Sequence, residues 1–282
     1  MTDAANTSVS LFQRQGGRNR FTAREATVIA VGSPVAEFVR VTLSGPDFAD
    51  FVSTGPADHV RVFFPHPETG ELIAPRAAGP GEDGIIRPEG PALSRDFTPL
   101  HPRRVGDSLA IDIDILRHDD PGPAALWAAR VAVGDTLVVV GPRGSRGATL
   151  QAPRVLLVVD GTALPSASRW ISDLPATTAV EVIADIEGDL SWVSEYLRAE
   201  GGREVRLTAA GDDLAAAVAV AGVDAETFVF AASEASRLIG LRRYLRRDLT
   251  LPREQVAISG YWKRGTAGFD HHAPIDPDDP ED

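Results

Sequence analysis

The chain has no cysteine, one lysine and one methionine in 282 residues. Without cysteine it can form no disulfide, thiolate zinc site, iron–sulfur cluster or cysteine nucleophile. No apolar run approaches the roughly 18–20 residues that a membrane-crossing helix needs. Met1–Ser10 is polar and lacks the apolar centre of a signal peptide, so a cytoplasmic location is the default expectation. No G-x-S-x-G elbow, Walker A loop or G-x-G-x-x-G fingerprint is present. His59, His66, His101, His118, His271 and His272 show no metal-ligand spacing, so no metal site is expected.

What is there begins with charge. The net charge of −12 argues against a nucleic-acid binder. Much of the excess lies in residues 269–282, which end Asp276-Pro-Asp278-Asp279-Pro-Glu281-Asp282 and hold no lysine or arginine. That segment reads as an acidic disordered tail. Residues 1–20, with Gly16-Gly17, read as a flexible N-terminus.

Between these ends the rhythm changes once. Residues 21–150 contain six short strands: Thr27–Val31, Glu37–Leu43, His59–Phe64, Arg95–Thr98, Leu109–Leu116 and Thr136–Val140. Their alternation and the turn residues between them fit a small antiparallel barrel. A Pro- and Gly-rich excursion fills 65–92, and one helix, Pro123–Arg130, opens on Gly122-Pro123 after a loop from Asp120. From 151 to 268 continuous apolar strands alternate with helices, beginning with Arg154–Val159. Four more strands follow at Val180–Ala184, Glu204–Leu207, Phe228–Ala232 and Gln255–Ser259. The helices are Leu164–Leu174, Leu190–Ala199, Leu214–Val220 and Ala235–Leu249. This is the pattern of a parallel α/β sheet, which binds ligands beyond the carboxyl ends of its strands.

Several stretches carry polar groups suited to a ligand. Arg95 could fork onto a diphosphate, while Phe97 and Thr98 could meet a flat heteroaromatic ring; equally, Arg95 could be an edge-strand arginine beside a core phenylalanine. Gly122-Pro123-Ala124-Ala125 offers the free amides of a helix start, with His118 four residues earlier, or is a plain helix start. Gly141-Pro142-Arg143-Gly144-Ser145 is either a polar ligand edge or a linker turn. Trp262, Lys263 and Arg264 end the last strand, as a cover over a cleft or as an interdomain plug. Asp160-Gly161-Thr162-Ala163 sits in the first α/β turn and is a weak phosphate signal.

Together these segments resemble the siderophore-interacting protein family, FAD-dependent ferric-siderophore reductases with a ferredoxin-reductase-like fold. The resemblance covers roughly 24–268. It rests on Asp58-His59-Val60-Arg61-Val62-Phe63-Phe64-Pro65, Asp112-Ile113-Asp114, His118 with Gly122-Pro123-Ala124 and Trp127-Ala128, Gly141-Pro142-Arg143-Gly144-Ser145, Thr162-Ala163-Leu164-Pro165 and Gly260-Tyr261-Trp262-Lys263-Arg264-Gly265. It implies an FAD-binding barrel at 21–150 and an NAD(P)H-binding-like domain at 151–268. Arg95 would bind the FAD diphosphate, Phe97 would pack on the isoalloxazine, and Thr98 would contact the ring. His118, Gly122, Ala124 and Ala125 would surround the diphosphate and ribityl chain, with Gly144 and Ser145 nearby and Trp262 over the flavin. Asp160, Thr162 and Ala163 would face the nicotinamide side. Arg61, Arg143 and Lys263 or Arg264 would grip an anionic ferric siderophore.

Four positions depart from the family pattern. Phe97 replaces a tyrosine, Leu100 a second arginine, Ala125 a serine and Gly161 an acid; Arg103 or Arg104 could stand in for the missing arginine. The expected activity passes electrons from NADPH or NADH, or from a ferredoxin, through FAD to Fe(III), with no side chain as acid or base. The alternative is a diverged flavin-binding member acting on an organic substrate, with FAD structural and little nicotinamide turnover.

Overall fold

The protein is described by a computed structural model covering residues 10–118 and 121–280; the loop start at Asp120 and the outermost parts of both expected flexible ends lie outside the described residues. The first half holds β1 (Gly16–Arg18), β2 (Ala23–Gly32), β3 (Phe38–Gly45), β4 (Val60–Phe63), β5 (Arg76–Ala77), β6 (Ile85–Ile86), β7 (Ser94–Phe97), β8 (Leu100–Val105), β9 (Ser108–Leu116), α1 (Pro123–Ala128), β10 (Thr136–Val140) and β11 (Gly144–Arg146). Seven strands form one curled antiparallel sheet in the order β7-β4-β10-β2-β3-β9-β8. The expected barrel had six, and β8 is the addition. Its residues from His101 to Val105 are all exposed, so it carries no alternation of burial for a sequence reading to find.

Alternation sets the core. In β9, Ile111, Ile113 and Ile115 turn inward to meet Val41, Leu43, Val60 and Val139. Asp112 and Asp114 therefore point outward, yet each is only 4% exposed. The second half of the chain and β8 cover them.

That second half holds β12 (Arg154–Val159), α2 (Leu164–Asp173), β13 (Ala179–Ala184), α3 (Ser191–Gly201), β14 (Arg206–Ala209), α4 (Leu214–Ala221), β15 (Thr227–Glu234), α5 (Ala235–Arg243) and β16 (Val256–Trp262). Its five strands are parallel in the order β14-β13-β12-β15-β16. β12 lies at the centre, and Val155 through Val159 are fully buried, which explains the unbroken apolar run.

The described parts of the two terminal segments, 10–20 and 269–280, make packing contacts with the body of the protein. Phe12 is buried in the α/β core beside Phe228, and β1 pairs with β11. Ile275 is 8% exposed and joins the cluster beneath α5. Asp276 accepts a two-point bond from Arg243 at 2.6 and 3.0 Å, and Asp279 accepts from Arg242 and Arg247. These acids meet the arginines of α5 and of the turn that follows it.

The two halves meet over the outward face of β9. Arg40 forks onto Asp114 at 2.7 and 2.6 Å and reaches Glu200 of α3 at 3.1 Å. Tyr196 of α3 donates to Asp114 at 2.7 Å. His101 lies 3.0 Å from Asp112 and 3.1 Å from Glu200. These two contacts hold its ring in place at φ 47, a left-handed conformation that a histidine rarely adopts. The two carboxylates raise the His101 pKa to about 9, while burial opposes them. Burial alone would raise Asp112, but His101, Arg103 and Thr42 outweigh it and hold it at about 2.

The sign of the pH dependence follows. The folded His101 pKa exceeds the ordinary value of 6.5, so its contribution is complete below about 6.5 and is lost as pH rises through about 9. Urea unfolding of the wild type and of His101→Gln should differ most near pH 6 and converge by about pH 10. A difference that stays constant across that range would refute the assignment.

Candidate functional site

β7 builds one edge of the site. Arg95 pairs across from Val62 and Phe97 from Val60, which places both side chains on the core-facing side of the sheet. Phe97 meets Phe64 edge-on at 6.0 Å, and Phe64 meets Trp127 of α1 at 5.2 Å. The aromatic contacts thus tie β7 to the helix that opens on Gly122. The Arg95 guanidinium donates to the carbonyl of its own neighbour Ser94 at 2.7 Å, and it has no carboxylate partner among the described residues. The α1 N-cap, Gly122, provides no side-chain cap, so the first-turn amides stay unsatisfied by side chains. Ala124 is buried and Ala125 half-buried beside them.

Thr98 is 7% exposed, and its hydroxyl is shared with Ser166 of α2 at 2.9 Å. Ser166 in turn meets the Tyr261 hydroxyl at 2.8 Å. One hydroxyl chain therefore links the residue after β7 to α2 and β16. Arg169, one turn along α2, donates to the Pro99 carbonyl at 3.0 Å and to the Ser53 hydroxyl and carbonyl at 2.9 and 3.0 Å. Ser166, Arg169 and Tyr261 were not singled out as site residues. Of the three, only Tyr261 lies in a recognisable motif, and nothing local marks the other two.

The second half of the site differs from expectation. Asp160 accepts from the amides of Thr162 at 2.8 Å and Ala163 at 3.3 Å, and from the Thr162 hydroxyl at 2.6 Å. Its other oxygen accepts from the Trp262 indole at 2.7 Å. The amides expected to face a dinucleotide phosphate already hold this carboxylate. A Cβ on Gly161 would lie 2.8 Å from Leu116 Cδ2 at the end of β9. The acid usual at this position is thus replaced by room for a packing contact between the halves.

Several other expected ligands are committed elsewhere. Ser145 donates to Asp58 at 2.6 Å and accepts from Asn19 at 3.0 Å and the Thr54 amide at 3.2 Å. One donor and two acceptor sites fill a hydroxyl, so Ser145 here serves the loop network. Gly144 lets β11 approach β1, since a Cβ there would lie 2.9 Å from the Gly17 carbonyl oxygen. Arg61 forks onto Asp96 at 2.8 and 2.7 Å, on the face of the sheet opposite Arg95. Arg143 lies 4.3 Å over the Phe21 ring. Leu100 is buried, and Arg103 binds Asp112 at two points, so Arg103 does not replace the missing arginine. His118, Arg104, Lys263 and Arg264 are exposed, and their side chains make no hydrogen bond among the described residues.

The residues on β7 and α1 fit FAD. A guanidinium with no carboxylate to neutralise it and a helix start with no cap are the donors a diphosphate requires. Phe97 supplies an aromatic face beside them.

A curled antiparallel sheet followed by a five-stranded parallel domain, with this edge between them, is the plan of a ferredoxin-reductase-like flavoprotein. The chain belongs to the siderophore-interacting protein family. Residues 27–146 match that family's siderophore-interacting FAD-binding domain, and residues 152–265 match its siderophore-interacting protein domain. A siderophore utilization protein from T. fusca superposes with a TM-score of 0.75 at 30% identity, covering 93% of this chain and all of that one. The NADPH-dependent ferric-chelate reductase of Escherichia coli is 29% identical over 262 residues, which is 87% of this chain and 94% of that protein. The ferric vibriobactin reductase ViuB of Vibrio cholerae is 27% identical over 80% of this chain and 84% of its own length. No helix among the described residues is long and apolar enough to cross a membrane.

Proposed function

We propose that the protein reduces an iron(III)–siderophore complex with electrons from NADPH, in the cytoplasm where that donor is held, and so releases iron(II). The observation that carries this reading is that both halves match the family, with Arg95 of the first half free of any carboxylate and the α1 start free of a side-chain cap. Bound FAD would supply the redox chemistry, taking a hydride from the nicotinamide and delivering its two electrons singly to two Fe(III), with the proton released to water. Iron(II) binds hard-oxygen chelators more weakly than iron(III), so reduction frees the metal.

The chain's own residues then have positioning roles. Arg95 and the first turn of α1 would hold the diphosphate, and Phe97 would cover the ring. The chain of Thr98, Ser166 and Tyr261, with Arg169, would fix the two halves at the spacing that transfer requires. Lys263 and Arg264 would draw in the anionic iron complex. They are better candidates than Arg61, whose charge is already neutralised by Asp96. The donor side is the less conventional one, because Asp160 occupies the turn amides. NADPH would dock beyond the carboxyl ends of the parallel strands, where the turn after β12 offers it the Asp160-capped loop and not free amides.

The test is anaerobic mixing of the FAD-loaded protein with NADPH, then with a ferric hydroxamate or catecholate in the presence of an iron(II)-specific dye. The flavin band should bleach and then return as dye colour appears, with two Fe(II) formed per NADPH. NADH and a reduced ferredoxin serve as comparison donors. A flavin band that stays oxidised with all three donors would rule out the reductase and leave FAD a structural role.

A further inference from the structure

His59, just before β4, and His271 and His272, in the segment after β16, bring three imidazole nitrogens within 4.8 Å of one another. The ring of His271 lies 4.2 Å from that of His59 and 4.0 Å from that of His272. Around a tetrahedral ion with bonds of about 2.0–2.1 Å, such nitrogens sit about 3.4 Å apart. Exposed side chains can close that difference by small rotations, and His59 and His272 are exposed.

Two further observations separate this cluster from plain ring packing. Both ring nitrogens of His271 are buried and neither makes a hydrogen bond, an arrangement that packed rings alone leave unexplained. Nδ1 of the same ring lies 3.1 Å from Oδ2 of Asp96. A carboxylate at one ring nitrogen is the usual means of turning the other toward a metal and of raising its basicity. Asp96 is itself fixed by the Arg61 fork, so this support is rigid.

We propose that His59, His271 and His272 form a binding site for one divalent first-row transition-metal ion, with Asp96 as the positioning residue behind His271. Imidazole ligands suit Zn(II), Co(II) and Fe(II), while hard cations such as Mg(II) prefer oxygen. Its supporting Asp96 lies on the opposite face of β7 from Arg95 and Phe97, so the cluster stands apart from the residues placed at the diphosphate. Fe(II) is the ion that the reaction proposed above would release. Assigning Fe(II) as the occupant rests on that reading, whereas the existence of the site does not. A site of this kind would hold the reduced ion after the chelator loses its grip on it.

The experiment uses the full chain, stripped with a chelator and loaded with FAD. Titration with Co(II) should give d–d absorption bands of nitrogen ligation, saturating at one ion per chain, and Zn(II) should displace it. His59→Ala, His271→Ala and His272→Ala should each weaken Co(II) binding at least about a hundredfold, the upper end of what losing a mere orienting group costs. The control His66→Ala should bind as the wild type does. Unfolding midpoints show whether each variant is folded, and the exposed His59 and His272 give two that do not depend on the buried ring. Equal Co(II) affinity in the wild type and a His59→Ala/His272→Ala double variant would overturn the site. An anaerobic Fe(II) titration is then run. Tight Fe(II) binding supports the product assignment, and Co(II) binding without Fe(II) binding overturns it. Metal binding that persists in protein unable to reduce its flavin supports the site while the reductase reading falls.

Discussion

Arg40→Ala is expected to lower the unfolding free energy by about 3–5 kcal/mol, the range for stripping one partner from a buried ion pair. The Asp114 side chain is wholly buried and that of Glu200 is 9% exposed. Arg40 is the only cation bonded to Asp114 among the described residues, and the Tyr196 hydroxyl alone would remain to it. Glu200 would keep His101. The damage is thus an uncompensated carboxylate at the join between the halves, not the loss of an attractive pair. That distinction is testable. Arg40→Met combined with Asp114→Asn removes both charges, and it should recover much of the loss because a neutral amide is far less costly to bury than a lone carboxylate. Urea unfolding of the two variants checks this. A change below about 1 kcal/mol in Arg40→Ala would show the cluster to be solvated and the halves to be joined by their apolar contacts alone.

The ease of reading each part from the sequence followed from how local its cause was. The run Arg154–Val159 declared a central strand because burial on both faces demands apolar residues at every position. Leu109–Ile115 declared a strand by alternation, but not that Asp112 and Asp114 would be covered. Their partners Arg40, His101, Arg103 and Tyr196 come from three separate stretches of chain. The edge strand β8 carries Pro102 and three basic residues, as edges do to discourage pairing, and it therefore looks like a loop. The contacts of the acidic C-terminal segment were not legible because a disorder argument weighs composition and ignores partners such as Arg242, Arg243 and Arg247. The network around Ser145 was hidden for a similar reason. Its bonds run to Asp58 and Asn19, and only the folded barrel shows that its hydroxyl has no capacity left. The histidine cluster was hidden in the same way, since His59 and His271 become neighbours only when the end of the chain returns to the barrel.

The departures from the family pattern converge on a single residue. With Leu100 buried in place of an arginine, Arg103 held by Asp112 and Ala125 lacking a hydroxyl, Arg95 is the cation that β7 itself offers the diphosphate, and the exposed Arg104 is the other barrel arginine without a carboxylate among these. Arg95→Ala should therefore weaken FAD binding by about 2–3 kcal/mol, the range for a hydrogen bond to a charged group left unmade, or roughly 30- to 150-fold in Kd. Arg95→Lys should recover only part of this, because an ammonium is a point charge and cannot span two phosphate oxygens. Ala125→Ser should move the other way, tightening binding a few-fold by returning a donor to the first turn of α1. Fluorescence titration of the flavin-free protein with FAD measures all three. The half-buried Arg95 makes one hydrogen bond, to Ser94, so its removal should leave the unfolding midpoint close to that of the wild type. A loss of FAD affinity with the midpoint unchanged places Arg95 at the diphosphate. An affinity within twofold of the wild type would place the diphosphate elsewhere and reduce Arg95 to an ordinary edge-strand arginine.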